Sequence, residues 1–289
     1  MSFDCPPCPD IALPLQQHPH YARAVAQMGG RCAATDIISP QGGVMGTAQW
    51  VLRRIGPLRV AWLPRGPIWG PDMPSAFVRR ALRGPVAGIP PRSLRLVTFE
   101  TPGDATGLRL ASGHSIAELD LTAKPETLRA AMHGKWRNRL CRAERAGLSV
   151  THRPFDPGSD APLLALEMSQ RRIRRYRALS PGFTLAFARA APRATRIFEL
   201  REHGDCAAFM LFLLHGSAAT YHVGWTGPAG RSVSAHNLLL WRAMLWLRHT
   251  GITRLDLGRV DTLRAPGLAR FKLGSGARIR RIGPTCLLI

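Results

Sequence analysis

The stretch "AAMHGKWRNRLCRAERAGLSV", residues 130–150, sets Lys135, Arg137, Arg139, Arg142 and Arg145 beside Met132, Trp136 and Leu140. Cationic side chains that border an apolar stripe are partly desolvated, and they hold an anion more strongly than a fully wetted face does. The segment is therefore a candidate site for a polyanionic substrate, against the plainer reading of a solvated basic face. A second basic run, "RRIRRYR" at 171–177, has only its charge to support such a role. Asp256 in "LDLG" alternates with Leu255 and Leu257, so on a strand it points away from them. There it could orient an amine, act as a base or pair with an arginine, and Asp120 in "LDLT" has the same choices. The "CPPC" at 5–8 could be a redox dithiol or half a zinc site. A redox motif needs a strand before it and a helix after it, and zinc needs a second pair. Neither context is present, so no metal is expected and the cysteines read as free thiols.

The elements that must position these residues alternate between α and β. "HPHYARAVAQMGG" reads as a short helix ended by Gly29 and Gly30. Strands are expected at 59–64, 93–99 and 116–121, with a helix in "PSAFVRRALR" between the first two. A long helix is expected over 126–146, with proline in its first turn and Gly147 at its end. Leu128, Met132, Trp136, Leu140 and Ala143 fall on one arc of it. The run 171–177 continues a helix starting near Ala161. Successive antiparallel strands follow, with turns at His203-Gly204 and His215-Gly216. Ser234 is expected to cap "AHNLLLWRAMLWLRHTG", apolar nearly all round and therefore buried, Trp241 and Trp246 included. A strand in "ITRLDLG" leaves that helix through Gly251, and "LARFKLGSGARIRRIG" closes the chain as a short helix or turn plus a strand.

The 289 residues suffice for one large domain or two modest ones. The net charge is +22, and lysine occurs only at 124, 135 and 272. The distribution is lopsided: residues 1–120 carry net +4 and residues 121–289 net +18. Such a field attracts nucleic acid, phosphorylated substrates or an anionic membrane surface. No apolar run reaches the length of a membrane span, and the N-terminus lacks the basic and apolar regions of a secretory signal. A cytoplasmic location is the resulting expectation.

Four segments in order, "PRGPIWG" (64–70), "LDLTAKPETLRAAMHGKWRNRLCRAERAGLSV" (119–150), "AHNLLLWRAMLWLRHTGITRLDLGRVD" (235–261) and "LARFKLGSG" (268–276), resemble the Fem-type transferases of the GNAT acyltransferase superfamily. The resemblance covers about residues 20–285 and implies an α/β fold with tandem GNAT-like units around a shared cleft. On that division, residues 1–16 are a proline-rich lead-in, 17–121 a first unit, and 122–289 a second unit with most of the positive charge. Founding members of the family move an amino acid from aminoacyl-tRNA onto an amine of a peptidoglycan precursor. The coiled-coil arm of some members has no counterpart here, so the reaction class carries over rather than the acceptor.

The resemblance implies direct attack of a primary amine, on a small molecule or peptide, with no metal and no covalent enzyme intermediate. It places the family's Phe-Lys pair at Phe271 and Lys272, where the lysine stabilises the oxyanion of the tetrahedral intermediate. A fixed cation aimed at developing negative charge suits that step. It equates Lys135, Arg137, Arg139 and Arg142 with the family's basic helix. CoA-dependent GNAT enzymes cradle a pyrophosphate on a glycine-rich loop at a helix N-terminus. Here the corresponding "PAGRSVSAHNLL" keeps Arg231 but carries Val233 and Ala235 in place of glycines. Aminoacyl-tRNA is thus the favoured donor, no cofactor is called for, and acyl-CoA is the alternative. A third alternative is a non-catalytic protein that binds RNA or a membrane surface.

Overall fold

In the computed structural model, the described residues are 12–38, 42–69, 75–174, 176, 178–202 and 204–288. The "CPPC" pair lies outside them. The chain begins with α1 (Pro19–Gln27), where the His18 side chain accepts from the His20 N–H and Gly29 (φ +74°) ends the last turn. Then come β1 (Arg31–Ile38), β2 (Val44–Ile55), β3 (Leu58–Pro64), β4 (Ile68–Trp69), α2 (Ser75–Arg83), β5 (Leu94–Thr98), β6 (Leu108–Ala111) and β7 (His114–Asp120). Next are α3 (Pro125–Ala130), α4 (Gly134–Arg145), β8 (Val150–Pro154), α5 (Ala161–Arg174), α6 (Pro181–Ala190), β9 (Thr195–Glu202), β10 (Asp205–His215) and β11 (Ala218–Thr226). The chain closes with α7 (Pro228–Ser232), α8 (Ala235–His249), β12 (Arg254–Val260), α9 (Pro266–Gly274), β13 (Arg278–Ile282) and β14 (Thr285–Leu288).

Two seven-stranded sheets result. The first runs β1-β2-β3-β5-β14-β6, with β4 against β2, and the second runs β13-β7-β12-β11-β10-β9-β8. The sheets do not divide at residue 121. β7 belongs to the second sheet, paired with β12 and β13, and the C-terminal β14 returns to the first, between β5 and β6. The described end of the lead-in packs onto the first sheet: Leu15 is buried, and the Gln16 carbonyl accepts from the Gln49 side chain (2.9 Å).

The largest core lies on one face of the second sheet, under α8 and α4. Leu238, Leu239, Ala243, Met244 and Leu247 of α8 are buried there with Trp241, and Trp246 packs against them, as the apolar periodicity requires. Leu128, Met132, Trp136, Leu140 and Ala143 join the same core.

They do so from α3, the turn at 131–133 and α4 rather than from one helix. His133 is extended (φ −61°, ψ 141°), and its N–H donates to the Gly274 carbonyl (2.9 Å). The Trp136 indole donates to the Phe271 carbonyl (3.0 Å), and a Cβ on Gly274 would come within 2.9 Å of Trp136. The end of α9 thus wedges into the expected 126–146 helix, and a partner some 140 positions away breaks it.

Candidate active site

β11 and β12 are parallel neighbours only from Ala218–Arg254 to Thr220–Asp256, although both strands continue to Thr226 and Val260. The ladder stops inside the second sheet and leaves a gap along the last residues of β12. α9 crosses beside that gap. Its sequence has two faces: Gly267, Arg270, Phe271 and Gly274 recur at helical spacing on one, while Lys272 is buried on the other.

Lys272 is only 6% exposed. Its Nζ donates to the Arg259 carbonyl (2.9 Å), in the stretch of β12 that has left β11. Burial lowers the ammonium pKa to about 8, against the opposing pull of the Asp256 charge. Gly258, beside Nζ, has a left-handed backbone that favours glycine (φ +77°).

The opposite face of α9 meets α4 across a cleft of about 710 Å³. Lys135 and Arg139, one turn apart on α4, line it with Arg270, Trp136 and Phe271. The Phe271 ring lies 6.0 Å from that of Trp136 and 6.1 Å from that of His236. None of the three cations is in an ion pair with a described residue. Exposed, uncompensated cations beside the half-buried Phe271 ring suit a ligand with phosphates and a planar ring. The basic helix therefore splits. Arg137 turns back toward the Ala130 carbonyl (3.4 Å), and Arg142 donates to the Ser232 carbonyl and Ser234 Oγ (2.8 and 3.1 Å), bracing the start of α8. Arg270 was not singled out from the sequence, although the face it shares with Phe271 signals it.

Asp256 is not available as a base. It is 5% exposed, and Oδ2 accepts from Arg65 Nη1 (2.6 Å) while Oδ1 accepts from the Gly258 N–H (2.6 Å). Burial alone would raise its carboxyl pKa, but the Arg65 charge and these hydrogen bonds hold it below the usual range. Arg65 in turn donates Nε and Nη2 to both oxygens of Glu100 (2.9 and 3.0 Å). Glu100 also takes Arg280, and Glu118 takes Arg280 and Arg254. This network ties the ends of β3 and β5 to β7, β12 and β13, and so joins the two sheets. Asp256 stands out in the sequence by its alternation with Leu255 and Leu257, whereas Arg65 carries no such signal. Asp120 is exposed and binds only Thr122 N–H and Oγ1.

The run at 171–177 is largely structural where it is described. Arg171 pairs with buried Glu167 and donates to the Ala178 and Leu179 carbonyls, and the Tyr176 hydroxyl donates to Glu167. Among the described residues, no group of three or more His, Cys, Asp or Glu side chains could hold a metal ion.

Residues 131–273 match the family model described as acetyltransferase (GNAT) domain. The chain carries a GNAT domain. That domain spans α4 to α9, and so includes both walls of the cleft and Lys272. The protein is an acyltransferase of the GNAT type. Its fold is similar to that of FemX, at 11% identity and a TM-score of 0.74 over 94% of this chain and 91% of that one. It is also similar to the C-terminal domain of a putative lysylphosphatidylglycerol synthetase from Agrobacterium fabrum (18%, TM-score 0.53, 94% and 88%). A tandem GNAT protein from the clavulanic acid biosynthesis pathway is a further neighbour (14%, TM-score 0.50, 89% and 84%). No curated protein sequence matches the chain. No helix among the described residues is long and apolar enough to cross a membrane.

In the GNAT domain, the segment that would meet a CoA pyrophosphate is folded in on itself. Residues 228–232 form α7, and a Cβ on Gly230 would come within 2.5 Å of the Ala207 carbonyl on β10. The N–H groups of Arg231, Ser234 and Asn237 donate to the Gly227, Arg231 and Ser234 carbonyls. The Arg231 guanidinium, expected at a phosphate, donates to the Thr226 carbonyl (3.2 and 2.9 Å). Ser234 has a left-handed backbone (φ +59°) and makes no side-chain cap, because its hydroxyl takes Arg142 instead.

Proposed function

We propose that the protein transfers an aminoacyl group from aminoacyl-tRNA to a primary amine. The observation that carries this reading is the two-faced α9, with Arg270 and Phe271 toward a cationic, aromatic cleft and Lys272 turned to the gap in the second sheet. Lys135, Arg139 and Arg270 would take phosphates of the tRNA end, and the half-buried Phe271 would stack a base. The named product of one structural neighbour, lysylphosphatidylglycerol, carries an aminoacyl group, which favours the same donor class. The folded-in 227–234 segment disfavours CoA, whose pyrophosphate needs open N–H donors.

In the reaction, the amine nitrogen attacks the ester carbonyl carbon and a C–N bond forms. The carbonyl oxygen takes the π electrons and becomes an oxyanion, to which the Lys272 ammonium donates a hydrogen bond. Collapse breaks the ester C–O bond, and the proton lost by the nitrogen ends on the 3′-oxygen. The products are an amide and tRNA with a free 3′-hydroxyl. Positioning and oxyanion stabilisation are the protein's share of the work.

Binding of aminoacyl-tRNA and of acetyl-CoA, each measured from low to moderate salt, tests the donor. Steeply salt-dependent tRNA binding, falling by orders of magnitude through counterion release, is the expected result. A saturable acetyl-CoA complex with no tRNA binding at low salt would replace this reading with the CoA-dependent one. RNA binding without transfer to any amine would leave a non-catalytic binder.

A further inference from the structure

The anchor of Lys272 is set by a chain of contacts that starts in the first sheet. Asp256 is the last β12 residue paired with β11. By accepting the Gly258 N–H it fixes Gly258 in the left-handed region, and the register with β7 shifts between Asp256 and Gly258. Such a bulge re-aims the peptide that follows it. That peptide presents the Arg259 carbonyl to Lys272 Nζ. The second oxygen of Asp256 is held by Arg65, 191 positions away in sequence and at the end of β3. Arg65 is buried and itself left-handed (φ +52°), a backbone that non-glycine residues rarely adopt. Its other nitrogens are clamped by Glu100.

Resting on the reading of Lys272 as oxyanion donor, we propose that Arg65 and Asp256 are positioning residues: Asp256 builds the bulge that places the ammonium, and Arg65 keeps the Asp256 carboxylate from capturing it. The competition is electrostatic. Among the charged groups near α9 are Asp256 and Arg259 on β12, Lys135 and Arg139 on α4, and Arg270 on its own cleft face. His114 on β7 is close to Arg65, Asp256 and Arg259. Asp256 is the one whose charge acts on Lys272. With both oxygens occupied, that carboxylate supports the ammonium without neutralising it. Without Arg65, the cations left to share that carboxylate are Arg254, on the same strand, and Lys272. A lysine paired in that way could not turn to an oxyanion.

The two positions therefore have opposite signatures. Arg65→Gln should raise the Lys272 midpoint by about one pH unit as Asp256 pairs with it. Asp256→Asn, which keeps an oxygen for the Gly258 N–H, should lower the midpoint by a similar amount. Both should lower kcat about tenfold or more with little change in the KM for aminoacyl-tRNA, and Arg65→Lys should restore part of the loss. The chain has only three lysines, so 15N-lysine-labelled full-length protein gives three side-chain signals, and the one lost in Lys272→Ala identifies Lys272. Opposite displacements of that signal, with kcat falling, support the proposal. Midpoints at the wild-type value in both variants overturn it. Displaced midpoints with wild-type turnover would keep the positioning and overturn the catalytic role of Lys272 instead. If Arg65→Gln fails to fold, Arg65→Lys and Asp256→Asn decide: a wild-type midpoint in Asp256→Asn overturns the proposal.

Discussion

The cleft between α4 and α9 and the ion network between the two sheets are built largely from arginine, and they use it in opposite ways. In the network, Arg65, Arg254 and Arg280 face Glu100, Glu118 and Asp256, charge for charge, in a half-buried to buried setting. In the cleft, Arg139, Arg270 and Lys135 are exposed and have no carboxylate among the described residues. A balanced set fixes one arrangement of two sheets and attracts nothing from outside. An unbalanced set adds little to stability and waits for an anion. The net charge of +22 is therefore a poor guide to the site, and the pairing of each arginine is a good one.

The largest effect should come from breaking the balanced set. Arg65→Ala leaves two buried carboxylates short of a partner and should destabilise the fold by about 3–5 kcal/mol, as read by urea denaturation. A loss within about 0.5 kcal/mol would show that the network does not join the sheets. The double variant Arg65→Ala/Asp256→Ala should be less destabilised than the sum of the single variants, by about 1 kcal/mol or more. Strict additivity would mean that the 2.6 Å contact carries no coupling.

The unbalanced set should behave in reverse. Lys135→Gln with Arg139→Gln should reduce the salt dependence of tRNA binding and weaken it about tenfold or more, while stability shifts by no more than about 0.5 kcal/mol. If stability falls and affinity does not, α4 is a structural helix only. Smallest should be Arg137→Gln. Its guanidinium turns back to the Ala130 carbonyl, so both affinity and stability should stay close to wild type. A tenfold loss of affinity would extend the site around α4.

Local signals foretold much of the fold, and long-range contacts account for what they missed. α8 was legible because its apolar residues recur nearly all round the helix, and the β9–β11 strands because Gly204 and Gly216 punctuate them with positive φ. The break between α3 and α4 was not, because the Gly274 carbonyl that captures the His133 N–H comes from the far end of the chain. The exchange of β7 and β14 between sheets is equally non-local. In the site, the cationic stretch at 130–150 was visible as composition. Which of its arginines face the cleft depends on where α9 docks: Arg139 faces it, whereas Arg142 turns to Ser232 and Ser234. Asp256 was visible as an alternating polar position, but its partner lies in the other sheet.

The proposed oxyanion role of Lys272 is tested most directly by single-turnover transfer with aminoacyl-tRNA saturating, followed across pH. The ammonium form is the active one, so the wild-type rate should hold below about pH 8 and fall as pH rises through that value, where the side chain loses its proton. Any gain in amine nucleophilicity over the same range has to be separated by using an acceptor whose own pKa is well below 8. Lys272→Ala should turn over roughly 100-fold or more slowly, the usual loss when one oxyanion donor is removed, and should lose this descending limb. A Lys272→Ala protein that transfers at the wild-type rate with the wild-type pH profile would contradict the account.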